Sequence, residues 1–404
     1  MKAVSKLGCI FLMFWLALAP ASAAETSRDK AGAKTGAKAR ASAKAKVSVK
    51  AKTKLKSKSK SKIAGPATGV ALSNTADPRD ERSLDAEVAA ARRILVAKPR
   101  DGEARDRLAR AAVVLIDMLL SAEAVGDTEK VERLSQMLGK DVHDTGRRVQ
   151  KMSQKGDLKA SQATGFFLAY GIFLEKDANK ACGEFVAAAE ELPSAGWHAA
   201  QCLMEALPEK AWENMERAAQ RGHAAALEWM GRRCLGEFGA NEKDYGCARD
   251  YLSQSASLGR PRAQTLLAYL LTSGQGGPVD MSRAIRLYKL AAERGDADAQ
   301  NNLGEINEMG RGVDRNLDEA LHLYELAATK GLGSAQFNAG RLWAVGVGEK
   351  KDPTKARAYL VQAEGNGVPQ ARQVLDWLNR QDMPASSGSL GPAPATTPGA
   401  ATTK

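Results

Sequence analysis

Several residue types in this chain could do chemistry, and their spacing decides what they do. Once an N-terminal leader is set aside, four cysteines remain: Cys182, Cys202, Cys234 and Cys247. The intervals of 20 and 13 residues match no compact zinc-ligand pair. An even number in an exported chain points instead to disulfides, with three possible connectivities. The four histidines, His143, His198, His223 and His322, form no HxxxH pair, and packing or surface roles suit them better than ligation. Ser57-Lys58-Ser59-Lys60 satisfies an S-x-x-K pattern only because the surrounding segment is built of serine and lysine. Gly274-Gln275-Gly276-Gly277 and Gly310-Arg311-Gly312 follow helical patterns rather than strands, so turn geometry accounts for them better than phosphate binding. Acid pairs such as Asp318-Glu319 and Glu190-Glu191 read as helix-end or solvent-face charges. No nucleophile stands with a base, and neither a metal nor a cofactor is expected.

The elements that position these residues come from a repeat. Asp296–Gly331 recurs at a period of 36 residues, with Arg260–Gly295 before it and Leu332–Gly367 after it. Equivalent positions carry Ala263, Ala299 and Ala335; Gly274, Gly310 and Gly346; Ala284, Ala320 and Ala356; and Gly295, Gly331 and Gly367. A fixed period of this size means a stacked array rather than one globular core. Within the unit, Ala299, Leu303 and Ile306 share one helical face, and Ala320, Leu323, Tyr324 and Ala327 share another. Each repeat is therefore a pair of helices. Gly310 and Gly331 stand where each helix must turn out of its own path. Gly304, Ala320 and Ala327 are small enough to let helices approach closely.

The pattern A-x-x-x-L-G-x-x-x-x-x-G-x-G-V…A-x-x-x-Y-x-x-A-A-x-x-G resembles the Sel1-like repeat, a relative of the tetratricopeptide repeat. It is strong over 260–367 and fainter over 157–259. The resemblance implies an all-α fold, a right-handed α-solenoid used as a protein-binding scaffold, with members in bacterial envelopes and secretions. Six repeats are expected, starting at residues 157, 193, 223, 260, 296 and 332, the second with a trimmed loop and the third with one extra loop residue.

Hairpin geometry then separates the cysteine connectivities. Cys182 and Cys202 are nearly equidistant from the turn near Leu192, and Cys234 and Cys247 from the loop Gly239–Asn241. The expected pairs are Cys182–Cys202 and Cys234–Cys247, each closing a short loop worth about 3 kcal/mol if unstrained. Disulfide-rich exported members of the family place cysteines elsewhere, including the pair of positions held here by Ala291-Ala292 and Ala327-Ala328.

Flanking segments divide the rest. Residues 1–23 read as a secretory signal peptide: Lys2 and Lys6, an apolar core from Leu7 to Leu18, and the small-residue site Ala21-Ser22-Ala23. Residues 24–77 form a disordered arm rich in Lys, Ala and Ser, including Lys44, Lys46, Lys50, Lys52, Lys54, Lys56, Lys58, Lys60 and Lys62. The whole chain carries a net charge of +12, and the arm with the leader accounts for more than all of it. The folded remainder is therefore slightly acidic. Such an arm suits an anionic envelope polymer or lipid surface. It has no aromatic residue to stack on bases, so no specific nucleic-acid binding is expected. Residues 78–155 read as three helices with stripes Leu84-Val88-Ala91-Leu95, Leu108-Ala112-Leu115-Leu119 and Val131-Leu134-Leu138. They cap the solenoid or form degenerate repeats. Residues 156–382 hold the repeats and a closing helix, and 383–404 a second disordered tail.

The functional expectation is a non-enzymatic exported scaffold, periplasmic or alternatively secreted, with no transmembrane span after signal cleavage. It binds a protein or peptide through the solenoid surface, with exposed aromatics as anchors: Trp197, Trp212, Trp229, Tyr288, Tyr324 and Trp343. Two other readings are an envelope enzyme or regulator acting on peptidoglycan or β-lactams, and a secreted factor that binds a host protein.

Overall fold

The structure, a computed structural model, describes residues 81–98, 100–138, 144–239, 242–347 and 351–381. The expected signal peptide, the basic arm with its nine lysines and the C-terminal tail lie outside these residues, as do the side chains of Leu134 and Leu138. Among the described residues there are seventeen helices. Six hairpins follow the repeat register: α5 (Leu158–Tyr170) with α6 (Ala178–Ala188), α7 (Pro193–Leu203) with α8 (Pro208–Gln220), α9 (Ala224–Cys234) with α10 (Tyr245–Ser257), α11 (Pro261–Ser273) with α12 (Met281–Glu293), α13 (Ala297–Met309) with α14 (Leu317–Thr329), and α15 (Gly333–Val345) with α16 (Pro353–Gly365). The helix α17 (Gln370–Gln381) closes the series. Each helix packs chiefly on its sequence neighbours, the arrangement of an α-solenoid.

Local sequence sets the helix ends. Asp157, Asp177, Asp244, Asp280, Asp296 and Asn316 each accept the backbone N–H three residues on, satisfying an otherwise orphaned donor. Pro193, Pro208, Pro261 and Pro353 open their helices, where the missing N–H costs nothing. Gly310 ends α13 at φ 66°, a left-handed conformation that a Cβ would oppose. Gly346 differs from it: φ 99° with ψ 140° carries the chain into an extended path after α15.

Packing within a hairpin sets one large side chain against one small one. Gly165 faces Phe185, Gly231 faces Leu252, Gly304 faces Tyr324 and Gly340 faces Leu360. Packing between hairpins adds a recurring polar staple. The side-chain amides of Gln264, Gln300 and Gln336 donate to the carbonyls of Ala256, Ala292 and Ala328, at the end of the preceding helix. All three glutamines are buried.

The N-terminal region departs from expectation. It holds four helices, not three: α1 (Glu81–Ala97), α2 (Gly102–Val125), α3 (Thr128–Leu138) and α4 (Thr145–Ser153). The fourth is polar along its length and buries only Thr145, Gly146 and Val149. Its seat depends on Gly146, where a Cβ would meet the Phe173 carbonyl at 2.8 Å, a long-range contact that periodicity does not report. Nor is the region only an end cap. Besides α1, α3 and α4, α2 packs on α5, α7 and α9, the first helices of three successive repeats. It ends at Gly126, against the ring of Pro261 at the start of α11. No helix among the described residues is long and apolar enough to cross a membrane.

Gly304→Ala is expected to destabilise the protein by about 1–3 kcal/mol, because the new Cβ would stand 2.7 Å from the fully buried Tyr324 ring. Gly183→Ala, exposed in α6 with nothing within 4 Å, is expected to stabilise by about 0.5–1 kcal/mol. Chemical denaturation of the two variants beside the parent checks both signs.

Candidate functional site

The structure brings the cysteines together in pairs. Cys182 on α6 and Cys202 on α7 lie at disulfide distance with Cα atoms 5.9 Å apart, and so do Cys234 on α9 and Cys247 on α10. Both bridges fall in the irregular first three repeats, where loops are trimmed or lengthened. Among the described residues no three His, Cys, Asp or Glu side chains stand together as a metal site would require.

The aromatics are not the exposed set the sequence suggests. Tyr288 and Tyr324 are 2% and 0% exposed. The Tyr324 ring fills the space opposite Gly304 of the facing helix. Only the hydroxyls emerge: Tyr324 donates to Glu308 at 2.9 Å, and Tyr288 accepts from Asn302 at 3.3 Å. Trp197 and Trp343 are buried as well. Trp343 donates its indole N–H to Glu325, and Lys355 lies 4.2 Å from its ring centroid. Their size places them in the core, the only environment that covers so much apolar area. Trp212 and Trp229 are half-buried. Both lie against Phe238, a residue that no sequence pattern marks, and Trp212 is tilted to it with ring centroids 5.9 Å apart. Phe238 stacks on Trp229 at 4.5 Å, sits at φ 58° and is 41% exposed. Arg232 and Arg233 lie over rings of this cluster, 5.0 Å from Phe238 and 4.2 Å from Trp212.

A band of three polar groupings runs over the first helices of the last three repeats, partly exposed at Arg262 and Asp298 and buried at Asn301 and Asn338. Arg262 on α11 pairs with Asp298 on α13. Asn338 on α15 donates to Asn301 at 3.0 Å, and Asn301 donates in turn to Glu305 at 3.3 Å. Arg341 on α15 binds both carboxylate oxygens of Glu308, at 2.6 and 2.7 Å. Burial pushes the Glu305 carboxyl up, against the hydrogen bond from Asn301 and the charges of Arg311 and Arg341. The band offers amide donors, amide acceptors and both signs of charge, but no nucleophile beside a base.

Register links this band to α2. Lys159, Arg262 and Asp298 each stand two residues past their helix cap, and Gln162, Thr265 and Asn301 five past. Over the first repeat these positions hold α2: Lys159 and Gln162 bind the two carboxylate oxygens of Asp117 at 3.0 and 3.5 Å. Arg260 secures the end of α2 by donating to the carbonyls of Glu123 and Ala124 at 3.1 and 3.2 Å. Thus α2 stops where the band starts.

Two buried histidines mark the covered half. His198 stacks on Phe185, and His223 on Trp197. Burial pulls their pKa values down, to about 4 and about 3, and neighbouring His198 and Arg260 add to the effect at His223. Neutral His223 caps α9, its Nδ1 accepting from the Ala226 N–H at 3.2 Å. A depressed folded-state value contributes stability above the ordinary 6.5 that is lost as pH falls toward 4 and 3. The thermal midpoint is therefore expected to drop as pH falls below about 6.5, and His223→Asn, which keeps a capping oxygen, is expected to flatten that fall. Separately, reducing both disulfides is expected to cost about 3 kcal/mol per bridge. Denaturant titration with and without reductant measures that loss.

Comparison with known proteins agrees with the hairpin register. The Sel1 repeat model matches residues 204–223, 261–296, 297–332 and 333–368. A solved Sel1 repeat protein from Oxalobacter formigenes is 24% identical over 61% of this chain and 96% of its own, with a TM-score of 0.46. A protective antigen of uropathogenic Escherichia coli strains displaying an SLR fold is 20% identical over 74% of this chain and 65% of its own, with a TM-score of 0.56. The second likeness is one of fold. No curated protein matches. Sel1 repeats generally mediate contacts between proteins rather than catalysis.

Proposed function

Because the chain belongs to the Sel1 repeat family, we propose that it is a non-enzymatic scaffold that binds a protein or peptide segment along the first-helix face of α11, α13 and α15. One observation carries this reading. The chain already uses these repeat positions, in its first repeat, to hold a helix of its own. Over the last three repeats they carry a polar band whose outer pair, Arg262 and Asp298, is partly exposed and able to meet a polar segment.

The scaffold works outside the cytoplasm, in the periplasm or beyond it. The leader-like residues 1–23 and the two cysteine pairs support this, since disulfides persist in oxidising compartments. The lysine-rich arm, residues 24–77, holds the scaffold near an anionic envelope surface. Solenoid and arm then have separate roles: one selects a partner and the other concentrates the protein where that partner is.

The test is crosslinked capture from the envelope fraction at low and high salt. It compares the mature chain, a chain lacking 24–77, and the double variant Arg262→Ala/Asp298→Ala, which removes the exposed pair of the band. One protein captured with and without the arm, resistant to salt and lost at least about tenfold in the double variant, supports the reading. Capture that vanishes without the arm or at high salt, yet survives the double variant, makes electrostatics the main attachment and overturns it.

A further inference from the structure

The end of α2 contains a carboxylate with no adequate partner. Glu123 lies in the last turn of the helix, against the first-helix face of the early repeats, and its Oε2 is buried with no hydrogen-bond partner. The charged and titratable groups around it come from several elements. Arg260, at the start of α11, is the nearest cation. Its guanidinium is committed elsewhere: Nε donates to Glu228 at 2.6 Å, and Nη1 to the carbonyls of Glu123 and Ala124. Glu228 on α9 is itself buried and is shared with Arg232. Tyr170, at the end of α5, feels the Glu123 charge, which with burial raises its phenol. His223, at the start of α9, is held neutral by burial. Just past the helix, Asp127 accepts the Lys130 N–H. None of the bonds named above reaches the buried Oε2.

We propose that Glu123 makes the docking of α2 on α5, α7 and α9 dependent on its protonation: the neutral acid keeps the end of the helix seated, and ionisation loosens it. The seat is built to come apart locally. Arg260 holds α2 by two carbonyl contacts, and beyond them Gly126, at φ 77°, supplies a turn that can change its path. Undocking uncovers the first-helix faces of α5, α7 and α9 on which α2 packs. The inference concerns the chain's own helix and needs no partner, so it stands or falls separately from the binding reading.

Burial raises the Glu123 pKa from 4.5 to about 7, with the Arg260 charge only partly opposing it. A value raised in the docked state gives docking that is strongest below about 4.5 and is lost as pH rises to about 7. The two histidines act in the opposite sense, weakening α7 to α9 in acid, so a readout resolved by region separates the effects.

The experiment is hydrogen exchange on the whole protein from pH 5 to 8, corrected for the intrinsic pH dependence of exchange and followed at the amides of 118–125. In the parent, the opening equilibrium of this segment is expected to rise by roughly 70-fold across that range, while Glu123→Gln and Glu123→Leu show no comparable rise. A flat profile in the parent overturns the inference, whatever the variants do. So does a rise of the same size in either variant, because neither side chain can ionise.

Discussion

A helix hairpin of this length has one apolar face and no means of hiding it alone. Each hairpin must first close tightly on itself before it can stack, and how closely its two helices approach is set by the residues with the least side chain. Gly165, Gly231, Gly304 and Gly340 allow Phe185, Leu252, Tyr324 and Leu360 to lie directly on the opposing helix. Interiors packed to crystal density leave no slack for one more methyl at such points. The buried glutamines Gln264, Gln300 and Gln336 then satisfy the carbonyls that this close approach would otherwise strand. Apolar contact brings the hairpins together, and the amides fix how each one follows the last.

The same repetition gives one set of positions two uses. Two and five residues past the helix cap, Lys159 and Gln162 hold Asp117 of α2, whereas Arg262 pairs with Asp298, and Asn301 accepts from Asn338. The backbone path is common to both, and only the side chains differ. Where the chain covers its own surface it can bury aromatic and imidazole rings, as at Trp197 and His223. Past Arg260 and the end of α2, the surface is made of charge pairs and amides, which tolerate water until something replaces it.

Much of the fold was legible in the sequence, because the repeat states the same local instruction several times. Ala299, Gly310 and Gly331 each recur at a fixed interval, so the hairpin register and the helix ends could be read without tertiary information. The proximity of Cys182 to Cys202, and of Cys234 to Cys247, followed from the symmetry of an antiparallel pair. The site was less legible. Tyr288 and Tyr324 hold one repeat position, but periodicity cannot say whether that position faces water or the core, where both rings are buried. The seat of α2 joins Asp117 to Lys159 and Glu123 to Arg260, contacts that cross dozens of residues and leave no local pattern. Phe238 lies outside any stripe, and its place in the Trp229 stack comes from a loop conformation that composition does not encode.

The placement of α2 also gives the array a mechanical grain. From α11 onward each hairpin is tied only to the one before it, so a pull on the C-terminal end would peel the solenoid one repeat at a time, with forces of similar size at each step. The peeling front would then reach Arg260, where a single helix lies across three repeats and two cross-links close the loops beneath it. From there the remaining hairpins share their load and must yield together. The molecule is thus an extensible strip fixed to a stiff block, with the boundary between them one residue wide.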